Sequence, residues 1–318
     1  MPPVAPRARV LLHLTAHRAA PALPLLVVVP MLALAFALGT HAIIFPEGAA
    51  IAMGVWSLAL PGWSRSRWRI AVLPPGCALL GVLLVRLELP PAVAPILGAA
   101  LAMLVLHALD SRLAPAMSAA VLPIVFAVDE LSYPLAVLVI CVVIAAAMPW
   151  LSRRRGPPPV PGDATGRYPV RVAAGGLAAI AVWVVLGGEL LALPVAALAP
   201  PLFVSALEWL GQRACTLRRG LRRWVLLVGA ALAGGVASEL IAVPWLAGAV
   251  AVLVTLALGW LLVTPHPPAL AIALIPQLLQ TVDALEYTLA IAAGAAALYL
   301  SVLAVDRLAL ASPVVEGA

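Results

Sequence analysis

The sequence predicts an all-α, polytopic transmembrane helical protein made of two parallel repeats of about six segments each, with proline-broken short helices in both. Three observations predict it. Hydrophobic residues make up 64% of the 318-residue chain and charged residues only 10%, whereas a soluble domain carries about 25% charged residues to wet its surface. The apolar residues gather in runs close to the ~20 residues a helix needs to cross a bilayer. The chain is also written twice: Pro115-Ala116-Met117-Ser118-Ala119-Ala120-Val121-Leu122-Pro123 returns as Pro268-Ala269-Leu270-Ala271-Ile272-Ala273-Leu274-Ile275-Pro276, 153 residues later. At the same offset Pro91 answers Pro244. One inserted residue makes Asp129 answer Asp283 and Tyr133 answer Tyr287, and Arg67-Trp68 finds Arg223-Trp224 at an offset of 156. Duplicated hydrophobic blocks are a common way for carriers to build a central site.

The first repeat covers residues 1–151, a cytoplasmic linker 152–171, and the second repeat 172–318. Arg7, Arg9 and Arg18 precede a first apolar run from Leu23. It continues without a clear cleavage site and therefore reads as an uncleaved span rather than a signal peptide. The six segments of the first copy fall near 23–40, 42–60, 70–86, 92–109, 113–128 and 133–151. The linker follows with Gly156-Pro157-Pro158-Pro159. The second copy runs near 172–193, 195–210, 224–240, 243–263, 267–282 and 288–305. Segments 2, 5, 8 and 11 are short and carry proline: Pro46, Pro115 with Pro123, Pro200-Pro201, and Pro267-Pro268 with Pro276. Proline removes a backbone donor and frees a carbonyl. In lipid such groups need protein or a water-lined cavity, so broken spans at matching places in two halves point to a solute path.

All 19 basic residues are arginine. With the N-terminus inside and every segment crossing, all but Arg86 fall in cytoplasmic loops, as the positive-inside bias requires. Twelve crossings, both termini cytoplasmic and parallel repeats follow, in the inner (plasma) membrane of a cell. The net charge of +6 is thus a topology signal, and no nucleic-acid partner is expected. Cys77, Cys141 and Cys215 lack metal-ligand spacing, and neither a metal nor any other cofactor is expected. Without a Gly-x-x-x-x-Gly-Lys fingerprint, nucleotide-driven transport would need another subunit.

Polar residues inside the broken segments are the candidate substrate-binding set. Glu47 follows Pro46, and Ser118 lies between the prolines of segment 5, with Asp129 and Glu130 at its outer end. Gln277 and Gln280 share a helical face that Asp283 and Glu286 continue. Asp129, Glu130, Asp283 and Glu286 also read as wet outer-loop residues, whereas Ile43-Ile44-Phe45 carry Glu47 below the interface. His266 opens segment 11 before Pro267-Pro268, where helix N–H groups and an imidazole suit an anion; a plain boundary histidine is the other reading. His41 and His107 read as packing or boundary residues, and Met53 and Trp56 as lipid or packing contacts. Arg218, Arg219, Arg222 and Arg223 read as an anchor to anionic lipid headgroups.

Thr264-Pro265-His266-Pro267-Pro268-Ala269, entered through Pro244-Trp245-Leu246-Ala247, resembles the signature region of the HPP integral membrane family, over about residues 195–305. The first repeat resembles uncharacterised bacterial membrane proteins of the same broad type, and the Arg-rich entry to segment 9 is similar to that of fusaric-acid-resistance-type exporters. The HPP resemblance implies a membrane transporter, with nitrite transport associated with plant members. From residues and resemblance together, the expected function is a transporter or facilitator for a small anionic solute bound between the halves, and not an enzyme. Its expected partners are the lipid bilayer and a small solute, with a homo-oligomer left open. A polytopic enzyme on lipid substrates would need clustered carboxylates or a nucleophile–base pair on one face. A non-transporting accessory protein would need docking surface that loops this short do not offer.

Overall fold

The computed structural model describes residues 22–64, 66–152, 166–190, 199–210, 216–279 and 283–311, and every regular element among them is helical. In chain order the helices are α1 (Leu25–Leu38), α2 (Glu47–Ala52, continued by a π-helical turn Met53–Ser57), α3 (Arg67–Val85), α4 (Val93–Ala108), α5 (Pro115–Val125) and α6 (Ser132–Ser152). They continue as α7 (Val170–Val184, prolonged by a π-helical turn Val185–Leu190), α8 (Pro200–Leu210), α9 (Leu217–Leu240), α10 (Pro244–Leu261), α11 (Pro268–Leu274, closed by a 3-10 turn Ile275–Gln277) and α12 (Ala284–Ala311). A single turn, Pro61–Ser64, precedes α3. Each predicted segment thus coincides with a helix.

Local chemistry sets the ends. Proline occupies the first position of α5, α8, α10 and α11, where its missing N–H costs nothing and its fixed φ is already helical. Gly39 ends α1 in the left-handed conformation (φ 65°), the usual glycine stop. Elsewhere non-glycine residues take that role. Asp110 and Val263 are left-handed just past α4 and α10. The next residues bond back alike, Ser111 N to Leu106 O and Thr264 N to Gly259 O.

Among the described residues, six helices are long and apolar enough to cross a membrane: α3, α6, α7 with its extension, α9, α10 and α12. Six of the twelve expected segments thus carry such a helix, and the other six carry shorter ones. The proline-started α5 and α8 have 11 residues each, about 17 Å at 1.5 Å per residue, against roughly 30 Å of hydrocarbon. The apolar runs read from sequence are longer than these helices because apolar loops flank them. Only 28% of α6 is buried inside the protein, and Leu135, Val139 and Val143 on it are exposed. A helix that apolar and that uncovered is placed stably by lipid, not water.

α3 packs on α4, α5 and α6, and α9 packs in the same way on α10, α11 and α12. Two close approaches recur 153 residues apart. A Cβ at Gly81 would lie 2.1 Å from Ala120 O, and one at Gly234 would lie 2.3 Å from Ala273 O. Small residues that let backbones meet are the usual seam between membrane helices. Tyr133 OH donates to Ala119 O at 3.3 Å, and Tyr287 OH donates to Ile272 O at 2.6 Å. Between the two groups lie the short helices: α2 contacts α5 and α11, and α8 contacts α5 and α11. The blocks also reach across. α1 lies on α10, with Leu32 filling the space over Gly248, and α7 lies on α4.

One end of the molecule gathers arginine. Arg69 Nη1 donates to Asp110 O, Arg112 Nε to Arg167 O, and Asp110 accepts from Arg167 N. Tyr168 OH donates to Arg112 O, and burial pushes its phenol up, with the Glu208 carboxylate adding to the shift. Arg86, at the other end of α3, bonds the opposite face through Asp129 O. The bias seen in sequence is thus spatial for these residues.

Candidate functional site

Glu47 opens α2 and is 1% exposed; Ser118, on the first turn of α5, is wholly buried. The Ser118 hydroxyl donates to Glu47 Oε1, which draws the first turns of two short helices together. Glu47 Oε2 has no hydrogen-bond partner. Phe45, just upstream, meets the Tyr133 ring edge-on at 6.3 Å and helps seal the pair from solvent.

A cleft of about 440 Å³ lies where α1 meets the ends of α9 and α10 and the turn after α11. Its polar lining is Thr40, His41, Ser238 and Gln277, and it contains no acid. His41 Nδ1 lies 3.0 Å from Gln277 O, so this nitrogen carries hydrogen and donates. Gln277 Nε2 donates to Ser238 Oγ at 2.7 Å, and Ser238 donates onward to Gly234 O. One amide hydrogen of Gln277 remains to offer a ligand. Apolar walls come from Leu32, Phe36, Ile44 and Leu279. Ile44 sits one turn before Glu47, so the cleft's wall leads into the chain that carries the buried carboxyl.

A third polar group joins α8, α12 and the approach to α11. Ser205 Oγ lies 2.6 Å from His266 Nε2 and 2.8 Å from Tyr299 OH. His266 Nδ1 faces Glu208 at 3.6 Å. Protons run in one direction, Tyr299 to Ser205 to His266 Nε2, satisfy each group and leave Nδ1–H toward the carboxylate. Trp209 closes over Tyr299 edge-on at 4.2 Å. The order Ser–His–Glu is that of a nucleophile with its base, yet Ser205 is wholly buried and His266 is 2% exposed. As it stands the cluster clasps three elements together.

Of the predicted set, the structure joins Glu47 to Ser118 and places Gln277 in the cleft. His266 is not an open anion seat at a helix start; it is enclosed by Ser205 and Glu208. Asp129 and Asp283 are exposed. Asp129 offers its backbone carbonyl to Arg86, and Asp283 caps α12 by accepting from Glu286 N at 2.7 Å. Neither lines the cleft, and no helical face runs from Gln277 to Glu286, because α11 ends at the 3-10 turn. Gln280 lies outside the described residues. Of the two readings given for Trp56, lipid or packing contact, the structure shows packing: it is buried and donates to Ile144 O. Ser238, Ser205, Glu208 and Tyr299 are not singled out by sequence, and His41 is read there as a packing or boundary residue. Only His41 carried a signal, as a lone polar residue ahead of a broken segment.

Comparison with protein-family models, curated proteins and solved structures finds no match.

Proposed function

We propose that this protein is a multi-pass plasma-membrane carrier for a small anionic solute, which binds in the cleft at the seam of two pseudo-symmetric halves. The observation that carries the reading is the cleft itself: a cavity of about 440 Å³ whose polar lining supplies donors and no carboxylate. Its walls are contributed by α1 from one block and by α9 to α11 from the other. The two-half reading is supported by the features that recur at offsets of 153 or 154 residues: the glycine–carbonyl approaches, the tyrosine–carbonyl bonds and the left-handed turns after α4 and α10. Short helices meeting at the junction suit a carrier in which one bundle rocks against the other. An enzyme acting on lipid would need its nucleophile open to substrate, and Ser205 is closed. The resemblance of Thr264 to Ala269 to the HPP family makes nitrite a natural member of the test panel.

The test is uptake of nitrite, nitrate, formate and lactate, each separately, by sealed liposomes holding the purified full chain. Saturable uptake of at least one anion above protein-free liposomes is expected. Gln277→Ala should lower it about tenfold, the scale of one hydrogen bond to a charged ligand. No uptake of any of the four, by protein that elutes as a single folded species, would end the carrier reading.

A further inference from the structure

We infer that Glu47 is a proton-binding site that couples the carrier to a proton gradient, so that one proton crosses with each monovalent anion. The inference rests on the carrier reading for its coupling step, but the proton site itself stands on separate ground. Glu47 is 1% exposed, and among the described residues no cation pairs with it. Ser118 satisfies one carboxyl oxygen, and Oε2 is left with no hydrogen-bond partner. A carboxylate in such a place has lost its hydration and found no compensating charge. A proton on Oε2 removes the charge and supplies the missing hydrogen.

The surroundings make Glu47 the acid that matters there. The helices packed against α2 are α1, α5, α6 and α11. In sequence α1, α5 and α11 carry no titratable side chain, and α6 carries Tyr133 and Cys141 alone. Both of these are buried and neutral acids at physiological pH, Tyr133 with its hydroxyl committed to Ala119 O. α2 itself adds no second ionisable group. A structural acid in this position would be expected to bond through both oxygens; this one has an empty acceptor. Its neighbour Ile44 lines the anion cleft, so a movement that opens or closes the cleft also moves the chain entering Glu47. The step balances simply: a hydronium ion on one side gives its proton to Oε2 and leaves water, and the acid returns that proton to water on the other side. No electrons move, and anion plus proton cross with no net charge.

Two arms test this on the full chain. In detergent near neutral pH, the infrared difference spectrum of wild type minus Glu47→Gln should show the carbonyl stretch of a protonated carboxylic acid. Ser118→Ala, which leaves the acid in place, should retain that contribution. A difference spectrum without the band overturns the proton site whatever the solute. In liposomes, with any anion of the panel that the wild type takes up, an inward acid gradient should drive at least tenfold accumulation that is insensitive to membrane potential. Glu47→Gln should lose the accumulation while keeping anion exchange across equal pH. Accumulation that persists in Glu47→Gln refutes the coupling and spares the carrier reading. Should no anion move in the wild type, the carrier reading and its coupling fall together, and the infrared arm still decides the proton site.

Discussion

At the scale of single residues, the buried polar side chains are mostly partnered, and Glu47 Oε2, Arg69 Nε and Arg223 Nη1 are buried atoms without a hydrogen-bond partner. The Ser205–His266–Tyr299 cluster shows what losing a partner would cost. In His266→Ala the Ser205 hydroxyl loses its acceptor and Glu208 its nearest donor. About 1–3 kcal/mol of stability should go with them, read as a lower melting temperature in detergent. A melting temperature unchanged from wild type would mean that the cluster contributes nothing to holding α8, α12 and α11 together. The residues legible in sequence were the polar ones stranded inside apolar runs: Glu47, Ser118, Gln277 and His266. Glu47 and Ser118 partner each other, but the partners of Gln277 and His266 were not legible. Ser238 looks like any helix serine, and Tyr299 like any aromatic in a span, until folding sets them beside Gln277 and Ser205. His41 read as a boundary residue because its role depends on α1 lying over α9 and α10, which no local pattern encodes.

Among the elements, length and closeness do the sorting. Proline at the first position starts α5, α8, α10 and α11 cleanly, and this much was visible in the spacing of Pro115, Pro200, Pro244 and Pro268. How far each helix would run was not visible, because hydropathy counts an apolar loop and an apolar helix alike. The closest approaches are those of α3 to α5 and α9 to α11, each permitted by one glycine. Gly81→Ala and Gly234→Ala would each drive a methyl group into a backbone carbonyl. Overpacking of this kind costs about 1–3 kcal/mol, and the two variants should lose comparable stability in thermal melts. Gly76, whose Cβ would meet nothing within 4 Å, supplies the control. Gly81→Ala melting like Gly76→Ala would show that α3 and α5 are free to move apart.

For the molecule as a whole, arginine marks a face. Arg69, Arg112 and Arg167 interlock at one end, with Asp129 and Asp283 near segment ends away from them by the expected topology. In a Cys215→Ser background, with Cys77 and Cys141 buried, Arg112→Cys should react with an impermeant maleimide only in inverted vesicles. Asp129→Cys should react in intact cells. The reverse pattern would turn the protein over in the membrane. The proposed repeat rests on Pro115–Pro123 and Pro268–Pro276, but the crossing of the blocks was not legible, since apolar faces do not name their mates. That crossing has a consequence for synthesis. α1 leaves the ribosome some two hundred residues ahead of its neighbour α10. Until α10 follows, Leu32 has no Gly248 to rest on, and α1 must wait beside the insertion machinery. A gene cut at the linker would release a front piece lacking its latch, so the two pieces should have to be made together to persist.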